Sequence, residues 1–186
     1  MMKLFPYLTA SRRFLGAGRR IACALFLAGL VTLPLSAADD TSNEVAVARP
    51  TFTLKFPSDW KVDSAAKDYN ADNNFTLNSA HNSYVQFNIS TKAGDLQKVL
   101  DNAVFNLDGL AITTLSKSPF TQWGAYTGLG LHLKGKILDS YPGGIRVFVF
   151  NTNSHNVMVV ELYYSNELSQ VQGELDFISH SFKMTD

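Results

Sequence analysis

Cysteine is almost missing from this chain: the one example in 186 residues, Cys23, lies far ahead of the part that reads as folded. The domain therefore has no disulfide and no thiolate chemistry, and its stability must come from a packed core. Missing too is the Gly-x-Ser-x-Gly turn that presents a serine nucleophile. The histidines, His81, His132, His155 and His180, each stand alone, without the close spacing of a metal-binding pair. Asp68-Tyr69-Asn70-Ala71-Asp72-Asn73-Asn74 offers oxygen atoms but no closing bidentate Glu, so it reads as a solvated loop and not a calcium loop. No catalytic residue, metal ligand or cofactor is assigned from the sequence.

Acidic residues are absent from the first 38 positions, which hold instead Lys3, Arg12, Arg13, Arg19 and Arg20, followed by the apolar run Ile21–Leu35 and the small residues Ser36-Ala37-Ala38. That order is an export leader, with cleavage expected after Ala37 or Ala38. The run is short for a membrane span and Pro34 falls near its end, so no span is expected after cleavage. Cys23 sits near the start of the run and not at the cleavage site, which argues against a lipid anchor. Ser11-Arg12-Arg13-Phe14-Leu15 resembles a twin-arginine export motif, while the second pair Arg19-Arg20 suits an unusually basic leader for the unfolded-chain route. The product is expected in the periplasm, or secreted. Without the leader the chain has 11 basic and 16 acidic residues, net −5, which disfavours nucleic acid and anionic lipid as partners.

Residues 39–49 are small and polar, and are expected to form a flexible tether to a single domain over 50–186. Thr51–Phe56 alternates polar and apolar residues, Pro57-Ser58-Asp59 turns, and Trp60-Lys61-Val62 resumes the alternation, predicting a hairpin with Trp60 in the core. Strands are predicted at Phe75–Leu77, Tyr84–Ile89, Ala111–Ser118, Ala125–Ile137, Ile145–Thr152 and Val157–Tyr164. One helix follows Asp95, with Leu96, Val99, Leu100, Ala103, Val104 and Leu107 on one stripe and Gly109 as its stop. A second is expected behind a Ser165 cap, with Leu168, Val171, Leu175 and Ile178 on its inner face and Phe182 docked beyond its end. Each stripe needs an apolar sheet face, so the fold class is α+β: one antiparallel sheet of six to seven strands flanked by helices.

The opening Phe52-x-Leu54-x-Phe56-Pro57-x-x-Trp60, two strands, a helix, a meander and a closing helix ending in Ser181-Phe182-Lys183 together resemble the PsbP-like proteins, whose relatives include the DcrB-like periplasmic group. The resemblance runs over about Pro50–Met184. It implies an α/β/α sandwich and non-enzymatic interaction modules, with no catalytic motif to carry over.

Aromatic residues are the surplus. Trp123, in what reads as a linker, and Tyr141, ahead of the turn-like Pro142-Gly143-Gly144, are the candidate surface anchors for an envelope protein partner. Glu161 is the oddest acid, since Val160 and Leu162 flank it; alternation points it to a polar face. The leading expectation is a non-enzymatic envelope binding protein. The alternative is a periplasmic hydrolase or lyase on a cell-wall or carbohydrate substrate, which a cleft with converging titratable groups would favour. A third, a ligand carrier, would need a large apolar cavity between sheet and helices.

Overall fold

Side-chain periodicity decides the layers. A computed structural model describes residues 43–107 and 113–185, which fall within the unit Asp40–Asp186. The leader, its cleavage site, the helix stop at Gly109 and the strand start at Ala111 lie outside the described residues. The elements run β1 (Glu44–Ala48), β2 (Phe52–Pro57), β3 (Lys61–Val62), β4 (Asn74–Asn78), β5 (Tyr84–Ser90), α1 (Leu96–Leu107), β6 (Thr113–Trp123), β7 (Tyr126–Ile137), β8 (Tyr141–Asn151), β9 (Asn156–Tyr164), α2 (Leu168–Ser181) and β10 (Lys183–Met184). Seven strands form an antiparallel sheet in the order β3-β4-β5-β9-β8-β7-β6, and β1, β2 and β10 form a second, three-stranded sheet.

The period of two sends alternate residues of the large sheet to opposite layers. Ile145, Val147 and Val149 of β8 and Val160 and Leu162 of β9 face α1, where they meet Leu100 and Ala103. Phe148 and Phe150 of β8 and Val157, Val159 and Tyr163 of β9 face the opposite way, into a layer shared by Val171, Leu175 and Ile178 of α2 and Phe52, Leu54 and Phe56 of β2. Both faces of β8 and β9 are thus covered, and these strands read as near-continuous apolar runs. Asp95 starts α1 as expected: its Oδ1 accepts from the backbone N–H of Gln97 at 3.0 Å and of Lys98 at 3.2 Å.

The α2 layer is filled with aromatic rings. Phe75 stacks on Phe52 and Phe87 at centroid distances of 5.2 and 4.8 Å, and Phe182 stacks on Phe87 at 5.2 Å. Trp123 and Tyr126 meet Phe182 edge-on at 5.8 and 5.9 Å. This packing fills the layer between the large sheet and α2. Phe182 does dock just past α2, fully buried, where the chain leaves the helix in an extended conformation.

Several local expectations are corrected. Glu44–Ala48, expected within the tether, is a strand: it pairs antiparallel with β2 from Glu44↔Pro57 to Ala48↔Thr53, and Val47 packs against the core. The predicted opening hairpin does not form. β2 pairs with β1 and β10, while β3 crosses to pair with β4. Trp60 lies between them, 1% exposed, with its indole N–H donating to Glu174 Oε2 on α2 at 2.8 Å. Trp60 thus marks the point where the chain passes from one sheet to the other. Tyr141–Gly144 is strand and not turn; the reversal is Leu138-Asp139-Ser140, with Leu138 and Asp139 at φ 51° and 55°. α2 begins at Leu168 behind Glu167, with no side-chain cap from Ser165.

Because Phe182 contacts both sheets' aromatic residues, Phe182→Ala is expected to destabilise the domain by about 3–5 kcal/mol in urea unfolding, the usual cost of emptying a large buried ring site. A loss below about 1 kcal/mol would show that the layer collapses around the gap and is not a fixed stack.

Candidate functional site

Four neighbouring strands place one polar row on the α2 face of the large sheet. Ser118 of β6 pairs with His132 of β7, His132 with Arg146 of β8, and Arg146 with Glu161 of β9, so the four side chains lie side by side across the sheet. Tyr163, two residues beyond Glu161 on the same face, leans back over Gly144, whose missing Cβ leaves room for the phenol. Its hydroxyl shares a 2.8 Å hydrogen bond with His132 Nε2.

The inner end of the row is dry. Glu161 is 1% exposed, and its Oε1 accepts a 2.6 Å hydrogen bond from the indole N–H of Trp123. Arg146 Nη1 stands 3.0 Å from Oε2, an ion pair outside hydrogen-bond alignment. Burial pushes the Glu161 carboxyl above the ordinary value of 4.5, Arg146 and the Trp123 hydrogen bond pull it back, and Asp176 adds to the rise; the net direction is upward. The guanidinium is held from a second side by Phe120, its Cζ 5.0 Å from the ring centroid.

The outer end of the row opens on solvent. Ser118, Phe120, His132, Arg146, Tyr163 and Gln172 line an open pocket of about 230 Å³. Burial, with Lys134 and Arg146 nearby, holds the His132 ring below its usual 6.5, so near neutrality it presents a neutral imidazole. Tyr163 is pushed up, chiefly by burial, with Arg146 opposing and Glu161 adding.

On the other side of the sheet, α1 packs on β8 and β7 and leaves the edge strand β6 largely exposed beside it. Leu100, Val104, Phe105, Pro119, Phe120, Leu129 and Leu131 are the apolar lining of a groove of about 500 Å³, and Asp101 and Lys117 stand on its opposite walls. Phe105 is 75% exposed.

The two aromatic anchors read from sequence part company here. Trp123 is 2% exposed, the last residue of β6 and part of the aromatic layer, so it is not a surface anchor. Its indole N–H is spent on Glu161, which turns the bulky ring inward. Tyr141 is 58% exposed at the start of β8 and meets Tyr164 edge-on at 6.0 Å. Glu161 is the converse correction: alternation gives its side correctly, but α2 and the small sheet cover that side. His81, His155 and His180 lie in a loop, in the β8–β9 turn and in the last turn of α2, and the structure does not bring them to the row. In the Asp68–Asn74 loop, oxygens are committed internally: Asn70 Oδ1 accepts from Asp72 N, and Asp68 Oδ2 from Asn74 Nδ2. Among the described residues no group of three His, Cys, Asp or Glu side chains gathers as a metal site requires, and no helix is long and apolar enough to cross a membrane.

Comparison with solved structures shows what the architecture is. The solution structure of cyanobacterial PsbP (CyanoP) from Synechocystis sp. PCC 6803 superposes over 76% of this chain and 92% of its own, with a TM-score of 0.50 and 9% sequence identity. The fold is PsbP-like. LpqN, a protein involved in cell envelope biogenesis of Mycobacterium tuberculosis, is similar over 77% of this chain and 91% of its own, at 16% identity and a TM-score of 0.45. No protein-family model matches the sequence, and no curated protein is similar to it in sequence. The PsbP-like domain therefore carries its polar row and its groove as features to be read on their own chemistry.

The sign of the Glu161 shift makes a prediction. A carboxyl whose pKa is raised by folding favours the native state while protonated and loses that contribution as pH rises from the unfolded value through the folded one. Glu161→Gln mimics the protonated form, so its stability relative to wild type is expected to increase with pH from about 4.5 upward. Thermal melts of the two proteins across pH check this. A constant difference between them contradicts the upward shift.

Proposed function

We propose that this PsbP-like chain acts outside the cytoplasm as a non-enzymatic binding protein of the cell envelope, and that the groove beside α1 receives an apolar segment of a partner protein. One observation carries the reading. α1 packs on β8 and β7 while the sheet runs on to β6, so Leu100 and Ala103 are buried, Val104 is half-buried, and Phe105, off the apolar stripe, stands 75% exposed beside the trough. An exposed aromatic next to a partly filled apolar groove is a standard form of peptide and protein recognition.

A polypeptide suits these walls better than a phosphate-bearing surface. The rim carries one charge of each sign, Lys117 and Asp101, and the chain after the leader is net −5. The extracytoplasmic setting is supported by the leader pattern of residues 1–38. Tyr141 remains a second candidate contact on this reading, because it is exposed and its ring is braced by Tyr164.

The hydrolase or lyase alternative draws on the pocket across the sheet, where His132, Arg146 and Tyr163 converge. Binding is favoured over it because the 2.8 Å partner of His132 Nε2 is the Tyr163 phenol and not the hydroxyl of Ser118, the group that would serve as nucleophile.

A photo-crosslinking residue placed at Phe105 is expected to capture a discrete envelope protein in cells, whereas the same residue at Lys183 in β10 should not. The captured protein, once purified, is expected to bind wild type and to lose about tenfold or more in affinity for Phe105→Ser, as for a truncated hot-spot aromatic. Equal adducts at both positions, or unchanged affinity for Phe105→Ser, contradicts the assignment of the groove.

A further inference from the structure

We propose that the pocket on the α2 side of the sheet is a receptor for a small carboxylate-bearing molecule, gripped by Arg146 and flanked by Tyr163, His132, Ser118 and Gln172. It opens on the other side of the same strands from the groove, with Phe120 bordering both.

The pocket is built around a guanidinium. Arg146 has five N–H donors and no acceptor. Glu161 takes up one side of it, with Oε2 3.0 Å from Nη1, and no other described residue hydrogen-bonds it. The group is nonetheless fixed, because Phe120 stacks against it at 5.0 Å. Its side chain is 26% exposed, and that part borders the pocket. A guanidinium held on two sides with donors left over is preorganised for a planar oxyanion, since the cost of ordering the side chain is already met.

The surroundings specify the ligand further. Lys134 is two residues from His132 on the same face of β7. The carboxylate nearest Arg146, Glu161, is 1% exposed on its inner side, and Asp176 acts on Glu161 from α2. Ser118, Gln172 and the His132–Tyr163 pair supply polar groups at the walls, and Phe120 supplies an apolar one. A cavity of about 230 Å³ with one fixed fork and one aromatic wall suits a carboxylate on a small apolar body better than a fully hydrated phosphate.

The test uses the purified protein with ¹³C-labelled histidine, titrated with benzoate, acetate and inorganic phosphate while the His132 ring signals, assigned with His132→Gln, are followed by NMR. Benzoate is expected to shift them saturably with a dissociation constant of about 1 mM or tighter. Arg146→Lys keeps the charge beside Glu161 but removes the fork, and is expected to weaken benzoate roughly tenfold. Gln172→Ala, an exposed change on α2, is expected to weaken it about threefold and carries the test if Arg146→Lys does not fold. Phe105→Ser is expected to leave benzoate binding unchanged, which separates this site from the groove. No saturable shift, a shift that Arg146→Lys and Gln172→Ala both retain, or tighter binding of phosphate than of benzoate overturns the proposal.

Discussion

A carboxylate that is 1% exposed has to be compensated where it sits, and in this domain that compensation organises the middle of the large sheet. Glu161 takes a hydrogen bond from Trp123 at the end of β6 and an ion pair from Arg146 on β8, so one side chain ties together three strands. The indole bond turns Trp123 inward to meet Phe87 and Phe182. The ion pair holds Arg146 against Phe120, and the same row places His132 beside it. Removing either partner would strand the other's polar group at the margin of an aromatic layer, which is why the row is best regarded as part of the core that happens to reach the surface.

The two faces of the sheet then take different characters. Toward α1 the contacts are aliphatic, and the sheet runs on past the helix to leave a groove. Toward α2 the contacts are aromatic and filled, and the outer end of the polar row is open. The same strands β6 and β7 line both openings, because consecutive residues of a strand point to opposite sides: Lys117 and Leu131 reach the groove, Ser118 and His132 the pocket. A binding protein can use two such openings without any moving part.

Much of this was legible in the sequence. Both helices, the α+β class and the PsbP-like resemblance follow from apolar periodicity and element order, as does the docking of Phe182. What periodicity does not carry is which strand meets which. Thr51–Phe56 and Trp60–Val62 alternate like a hairpin, but their strands join separate sheets, and the Trp60–Glu174 bond at the crossing is a contact over more than a hundred residues. Glu44–Ala48 has only Val45 and Val47 to mark it, too little apolar content to announce a strand whose backbone pairing comes from β2. The site fared likewise. The apolar flanks of Glu161 marked it as unusual, yet its partners Trp123, Arg146 and, at the next remove, His132 come from three other strands whose register no local pattern states. Trp123 was misplaced because Pro119 and Gly124 suggest a linker, whereas an edge strand tolerates proline and bulges.

The central claim is that Arg146 is a fixed guanidinium, braced by Glu161 and Phe120 and presenting its remaining donors outward. ¹⁵N-resolved NMR of the arginine side chains measures this directly. The account predicts separate, slowly exchanging Nη proton signals for Arg146, displaced by the ring current of Phe120; a single averaged signal like that of exposed Arg49 would contradict it.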